Sequence, residues 1–267
     1  MPLVRLISRL CRRAAPALWQ QLKYRQYLLD VSAEREIHIV HRYIDPGRAA
    51  LDIGVHIGIY ARHFAKYAKC VIGFEANPNS AAFAKRSLSG VATIEWVALS
   101  SEAGTGLLRI PVEETNGTDL VALSTLSPIN NLNGLGFREV VVPIRALDDF
   151  DLPAVGFVKL DVEGHEEAVL KGGEKLLARD RPVYMIEIEE RHNPGALFRI
   201  VQYFDGREYD ATFYDGIRMR TIKEFDQQRH QTTGSRVYVN NFFFYPREFN
   251  LPLERDDISR RISGVSK

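Results

Sequence analysis

Ala50-Leu51-Asp52-Ile53-Gly54-Val55-His56-Ile57-Gly58-Ile59-Tyr60 is the stretch whose reading decides the fold. An apolar run ends in Asp-Ile-Gly, turns through two glycines, and enters a segment with helical spacing at Tyr60, Phe64, Tyr67 and Ala68. That order is a strand, a tight turn and a helix N-terminus, the frame that open α/β sheets use for nucleotide-like ligands. A second apolar run, Val71-Ile72-Gly73-Phe74, ends in Glu75. A carboxylate at the tip of that next strand is placed to hold a ribose diol. The spacing of Gly54 and Gly58 is Gly-x-x-x-Gly, not the G-x-G-x-x-G that brings a helix dipole to a pyrophosphate. The lysine and Ser/Thr of a phosphate-gripping loop are also absent. A ligand with adenosine and no phosphates fits this turn, and S-adenosylmethionine (SAM) is such a ligand.

Working outward, strands are expected at 49–53, 70–75 and 93–99, with helices at 57–68 and 78–87, the latter opened by the cap and first-turn proline Asn77-Pro78. This alternation predicts parallel pairing with right-handed crossovers. Residues 107–112 and 139–144 read as two further strands, a hairpin whose ends are joined by the aperiodic, Asn-, Thr-, Ser- and Gly-rich segment 113–136. A connection of that length inside a compact domain points to a lid or binding loop. Gly156 to Val162 is a continuous buried-strand pattern that runs into Glu163-Gly164-His165-Glu166 and a helix at 165–178. A further strand at 182–188 ends in Glu187, Glu189 and Glu190, and 208–222 and 236–245 are β-rich. On the N-terminal side, 33–44 reads as a helix with Ile37, Val40, Tyr43 and Ile44 on one side.

Within residues 1–30, Arg5, Arg9, Arg12, Arg13, Lys23 and Arg25 face a single acid, Asp30, and Leu3, Leu6, Leu10, Leu18 and Leu22 recur at roughly helical intervals. Two readings stand: a basic amphipathic helix on an anionic membrane surface, or a helix packed across the main domain. The expected division is a basic helical extension at 1–44, a main domain at 45–250 with the 113–136 insertion, and a charged tail at 251–267. The 267 residues, 45% apolar and 26% charged, suit one large α/β domain that buries a full core. A net charge of +1 gives no bias toward nucleic acid, and none is expected as a partner. Cys11 and Cys70 have no metal-ligand spacing, and no run reaches the roughly 20 apolar residues of a membrane span. A reducing cytoplasm is the expected compartment, with membrane association as an option through residues 1–30.

Several segments together resemble the FkbM family of SAM-dependent methyltransferases. They are Asp52 to Gly58, Phe74-Glu75-Ala76-Asn77-Pro78, Arg145 to Phe150, Phe157 to Glu166, Leu170-Lys171-Gly172-Gly173 and Tyr184 to Ile188. Lys159-Leu160-Asp161-Val162-Glu163-Gly164 is the most specific of them, and the resemblance covers roughly residues 45–190. It implies the Rossmann-like class I methyltransferase fold: a seven-stranded, mostly parallel sheet, helices on both faces, and an antiparallel last strand. It also implies methylation of a hydroxyl on a sugar, glycolipid or other small acceptor. Val55-His56 and Trp96-Val97 depart from the family's commonest pattern.

On this reading Asp52, Gly54, Val55 and Gly58 serve the methionine end of the cofactor, directly or through the turn. Glu75 with Ala76 takes the ribose, Val97 and Ala98 neighbour the adenine, and Asp161 also borders the cofactor. An alcohol must lose its proton as it is methylated, so a positioned base is required. Glu163, His165 and Asp161 are the three candidates, with helix capping as the structural alternative for Glu163 and His165. Glu187 and His192 are expected acceptor contacts. Asp161 with Glu187 could instead hold a divalent cation, but no compact metal motif is present and none is expected. The competing functions are an NAD-linked oxidoreductase on a related sheet and a non-catalytic SAM-binding protein.

Overall fold

A computed structural model describes residues 8, 10–30, 34–113, 120–232, 234–235 and 237–249. The expected charged tail at 251–267 lies outside these residues, as do 1–7 of the basic extension and 114–119 of the insertion. The strands are β1 (Ala49–Ile53), β2 (Cys70–Glu75), β3 (Thr93–Trp96), β4 (Ala98–Leu99), β5 (Gly104–Pro111) and β6 (Phe137–Arg145). They continue as β7 (Val155–Leu160), β8 (Val183–Glu187), β9 (Tyr209–Tyr214), β10 (Met219–Thr221) and β11 (Asn241–Pro246). The helices are α1 (Pro16–Leu29), α2 (Ile59–Phe64), α3 (Pro78–Ser87), α4 (Glu166–Lys171), α5 (Glu174–Asp180), α6 (Ala196–Asp205) and α7 (Gln227–His230).

Eight strands form the main sheet in the order β3-β2-β1-β7-β8-β11-β9-β10. The pairs from β3 through β8 are parallel, and β11 runs antiparallel to both β8 and β9. This is the expected mostly parallel sheet with an antiparallel last strand. One short strand, β10, is added at the edge by a hairpin with β9. Strand alternation divides the core between two faces. Leu51, Ile53, Val158, Leu160, Tyr184, Ile186, Phe242 and Phe244 pack against α4, α5 and α6. Ala50, Phe157, Val183, Met185, Phe243 and Tyr245 pack on the opposite face with α1, α2 and α3. The unbroken aromatic run of β11 is therefore a strand buried on both sides.

Four elements differ from the sequence expectation, each for a local reason. In place of the helix expected over 33–44, the described residues form two 3-10 turns, Arg35–His38 and Val40–Tyr43. Buried Ile37, Val40 and Tyr43 are three residues apart, which matches three residues per turn better than 3.6. The strand expected over 93–99 breaks at Val97, and its second part, β4, joins β6 and β5 in a separate three-stranded sheet. The helix expected over 165–178 is split at Gly172-Gly173, where a Cβ on Gly172 would stand 2.0 Å from the carbonyl oxygen of Ser100. Both carboxylate oxygens of Asp148 then accept from the amides of Lys175 and Leu176, restarting the chain as α5. The strand expected at 236–245 begins at Asn241, because Val239 pairs with the carbonyl of His230 instead.

Helix α1 packs on α2 and α3, but through residues other than the leucines. Gln20 and Tyr24 are buried; Gln20 donates to the carbonyl of Gly58 at 2.7 Å, and the Tyr24 hydroxyl meets His63 Nδ1 at 2.9 Å. Leu10, Leu18, Leu22 and Leu29 are more than half exposed. The side of the helix that carries Gln20 and Tyr24 is covered, and Leu18, Leu22 and Leu29 face away from it. Among the described residues no helix is long and apolar enough to cross a membrane.

Candidate functional site

A cleft of about 280 Å³ opens where the carboxyl ends of β1, β2, β7 and β8 meet. Its first wall is the glycine turn. Gly54 has φ +91, and a Cβ there would lie 1.9 Å from the carbonyl oxygen of Asp161, so only glycine allows the ends of β1 and β7 to close. The amide of Asp161 bonds the Ile53 carbonyl at 3.0 Å across the same junction. Gly58, at φ +77, starts α2 against Leu88. Asp52, Val55, Gly58 and His192 do not line the cleft; Gly54, Glu75, Ala76, Val97, Ala98, Asp161, Glu163, His165 and Glu187 do. Asp52 is 1% exposed and lies beneath the turn, its carboxyl raised to about 7 by burial. Its Oδ2 is buried without a hydrogen-bond partner among the described residues.

Glu75 ends β2 with its carboxylate fixed by two backbone donors, the amides of His56 and Asn77, each at 2.7 Å. Burial raises it to about 7 despite those bonds. Beside it, Ala76, Val97, Ala98 and Leu99, with Phe74 and Leu108, form an apolar slot between the main sheet and the small one. The Trp96 indole is turned out of the slot and donates to the Ala76 carbonyl at 3.1 Å.

The opposite end is acidic. One carboxylate oxygen each from Asp161, Glu163 and Glu187 lies within 4.8 Å of the others. Lys159, 2% exposed in β7, pairs with Asp161 at 2.7 Å and sits 4.9 Å above the Tyr60 ring. Burial opposes its charge, but Asp161, Glu34 and Asp52 together hold its pKa above the ordinary lysine value. Burial pushes Glu187 well up, helped by Asp161 and Glu34, and Asn240 donates to it at 2.9 Å. Three carboxylates at this spacing have the donor chemistry for a divalent cation. The Lys159 ammonium already supplies a positive counter-charge there.

Glu163 stands out within this group. Its φ of +54 is a left-handed conformation in a residue other than glycine, and Gly164 follows at +94. The insertion holds it in place: Thr125 Oγ1 and Asn130 Nδ2 both donate to the Glu163 carbonyl, at 2.7 and 2.8 Å. Its carboxylate meets His192 Nδ1 at 2.9 Å. Burial raises Glu163, with His192 opposing; burial also works against the charge of His192, which Glu163 nonetheless draws above its ordinary value. Neither Glu163 nor His165 caps α4 through its side chain; Glu166, the first residue of the helix, accepts from the amide of Gly164 at 2.9 Å. His165 meets Ser100 Oγ at 3.0 Å, and burial lowers its pKa.

One contributor carries no sequence signal, and a second was legible only as a long aperiodic loop. Glu34, from the N-terminal segment, lines the cleft and accepts from the Tyr60 hydroxyl at 2.6 Å. Val121, Ala122, Ser124 and Leu126 of the insertion form the outer wall.

The family described as the methyltransferase FkbM domain matches residues 52–219. No curated protein matches the sequence. Among solved structures, the chain is similar to the methyltransferase FkbM from Methylobacillus flagellatus KT, at 15% identity and a TM-score of 0.48 over 75% of this chain and 44% of that one. It thus spans less than half the length of that relative. The O-methyltransferase from Bacillus cereus, solved in complex with SAH, aligns at 11% identity and a TM-score of 0.46 over 90% of this chain and 96% of that one. An rRNA methylase from Streptococcus thermophilus aligns at 16% identity and a TM-score of 0.41 over 80% and 97%. With the family match covering the glycine turn, Glu75 and the acidic strand ends, the chain belongs to the FkbM family of SAM-dependent methyltransferases.

Proposed function

We propose that the chain methylates a hydroxyl of a small polyhydroxylated acceptor, such as a sugar or glycolipid, with Glu163 as the base. The residues present fit the cofactor. Gly54 leaves the turn without a side chain where a Cβ would fill the junction, Glu75 presents a fixed carboxylate for a diol, and the slot from Ala76 to Leu99 is apolar enough for a purine. When bound, SAM supplies a methyl group made electrophilic by its sulfonium. Asp52 and Gly58 support the turn from behind, and Val55 shares that role.

The observation that carries the reading is the Glu163–His192 contact at 2.9 Å at the acidic end of the cleft. Glu163 takes the proton from the acceptor oxygen, and His192 orients its carboxylate. A carboxyl raised toward neutrality is a better proton acceptor for an alcohol than one of ordinary pKa. Of the other candidates, Asp161 is engaged by Lys159 and His165 by Ser100. Glu187 and Glu34 remain to accept from further acceptor hydroxyls, so a polyol suits this wall. The decisive experiment is mass-spectrometric detection of S-adenosylhomocysteine (SAH) release and methylated product across hydroxylated acceptors. Turnover on an amine or carbon acceptor alone would refute the O-methyl reading, and SAH binding without any turnover would favour the non-catalytic alternative.

The exposed leucines of α1, with Arg13, Lys23 and Arg25 nearby in sequence, support peripheral contact with an anionic membrane. Cys11 and Cys70 are both free thiols, which suits a cytoplasmic setting. We further take 45–250 as the methyltransferase unit, with 1–44 as an extension that bonds the glycine turn through Gln20 and reaches the cleft through Glu34.

A further inference from the structure

A second cavity, of about 700 Å³, lies beside the β9–β10 hairpin and is separate from the cleft in its lining. Its apolar lining is the buried Phe213 with Val237 and the exposed Ile217, and its polar groups are mostly basic. Two of its acids are already satisfied. Asp215 accepts from the amides of Ile217 and Arg218, both at 2.8 Å, and from Arg220 at 2.6 Å. Glu224 accepts from Arg220 at 3.0 Å and from the Thr221 amide at 3.2 Å. Arg220 is thus consumed by the two carboxylates, while the guanidinium groups of Arg35 and Arg229 make no hydrogen bond or ion pair among the described residues. Arg35 is seated along Gly216, where a Cβ would stand 2.3 Å from its Nη1. His230 adds a third donor: its Nδ1 accepts from the Asp226 amide at 3.0 Å, which leaves the proton of the neutral ring on Nε2.

The linings of this cavity and the cleft come close together along the chain at two points. Glu34 lines the cleft and Arg35 the second cavity, one residue step apart, about 3.8 Å between Cα atoms. On the other side, Asn240 bonds Glu187 in the cleft and Val237, three positions earlier, lines the second cavity. Two exposed guanidinium groups with no partner among the described residues, and a histidine donor, line one cavity and suit the charge of a phosphate better than any neutral group. We infer that the second cavity is a subsite for a phosphate group on the acceptor, held by Arg35 and Arg229 while the hydroxyl to be methylated lies in the cleft. This inference rests on the methyl-transfer reading and gives its acceptor a chemical class, a phosphorylated hydroxy compound.

The test titrates the full chain with sodium pyrophosphate by calorimetry, comparing wild type, Arg35→Ala/Arg229→Ala and the exposed neighbour Arg218→Ala. The double variant should weaken pyrophosphate roughly tenfold or more, about 1.4 kcal/mol, with Arg218→Ala near wild type. Co-sedimentation with phosphatidic acid against phosphatidylcholine vesicles shows whether the phosphate is free or part of a lipid headgroup. Dependence on Arg35 and Arg229 in either arm supports the subsite. Equal behaviour of the three proteins with both probes, or an active acceptor that lacks phosphate and whose KM the double variant leaves unchanged, overturns it. SAH binding, measured alongside, should be the same in all three. Its failure in wild type would overturn the methyl-transfer reading while leaving the phosphate result legible.

Discussion

Gly54→Ala is expected to damage both the fold and the cofactor site, and Gly90→Ala separates the reasons. Both glycines have positive φ, +91 and +74, so an alanine at either position is strained by about 1–2 kcal/mol. At Gly90 nothing lies within 4 Å of the added Cβ, so the strain stands alone. At Gly54 the Cβ meets the Asp161 carbonyl oxygen at 1.9 Å and its carbon at 3.0 Å. Both are backbone atoms, so no side chain can swing aside. The ends of β1 and β7 must move apart, which adds about 1–3 kcal/mol for overpacking. The bond from the Asp161 amide to the Ile53 carbonyl weakens with them, worth about 1 kcal/mol. The total is about 3–6 kcal/mol for Gly54→Ala against about 1–2 for Gly90→Ala, read by urea denaturation. Calorimetry should find SAH binding lost in the first and retained in the second. Equal stability losses in the two variants, or native SAH affinity in Gly54→Ala, would show that the turn does not depend on this close approach.

Glu163→Gln should lower kcat by about 10²–10⁴ with SAH binding retained. His192→Ala should lower it less and move the rising limb of the pH–rate profile, and an unchanged kcat in both would remove Glu163 from the mechanism. Burial raises Glu166 to about 7, above its ordinary 4.5, so the folded chain keeps a proton that the unfolded chain releases. The stability tied to that proton is fully present below about pH 4.5 and is lost as pH rises through about 7, for a total of about 3 kcal/mol. Glu166→Gln should therefore flatten the fall in Tm between about pH 5 and pH 8, whereas a wild-type slope in the variant would contradict it. Leu18→Ser/Leu22→Ser removes exposed apolar surface without touching Gln20 or Tyr24, so Tm should hold while co-sedimentation with anionic vesicles drops by roughly tenfold. Unchanged sedimentation would leave α1 as a packing element alone.

What could be read in advance was whatever one segment dictates by itself. β1, β2 and α3 follow from an apolar run, a carboxylate tip and a capped proline start, and the structure has them at the expected residues. The breaks at Val97 and Gly172 were hidden because they answer to partners far along the chain, β6 for one and the Ser100 carbonyl for the other. The leucines of residues 1–30 signalled an apolar face, but periodicity cannot say whether protein covers it, and Gln20 makes the buried contact instead. In the cleft, Glu75, Asp161, Glu163 and Glu187 were legible as strand-end acids. Glu34 was not, since its place depends on Tyr60 and Asn241 receiving it from another part of the sheet. His192 reads from the sequence as a polar group past a strand, while its partner follows only from the fold.

The two bonds from Thr125 and Asn130 to the Glu163 carbonyl bear on how this site can change. The same insertion supplies the outer wall of the cleft through Val121, Ala122 and Ser124. On the proposed assignment of Glu163 as the base, acceptor selection and base alignment are thus written into one stretch of chain. Drift or grafting in this loop can exchange the wall residues freely only where a hydroxyl at 125 and an amide at 130 persist. A transplanted loop that lacks them would recognise a new acceptor and leave it beside a carboxylate turned out of line. Engineering for a new substrate at this site is therefore a matter of editing between two fixed pins, not of replacing the loop whole.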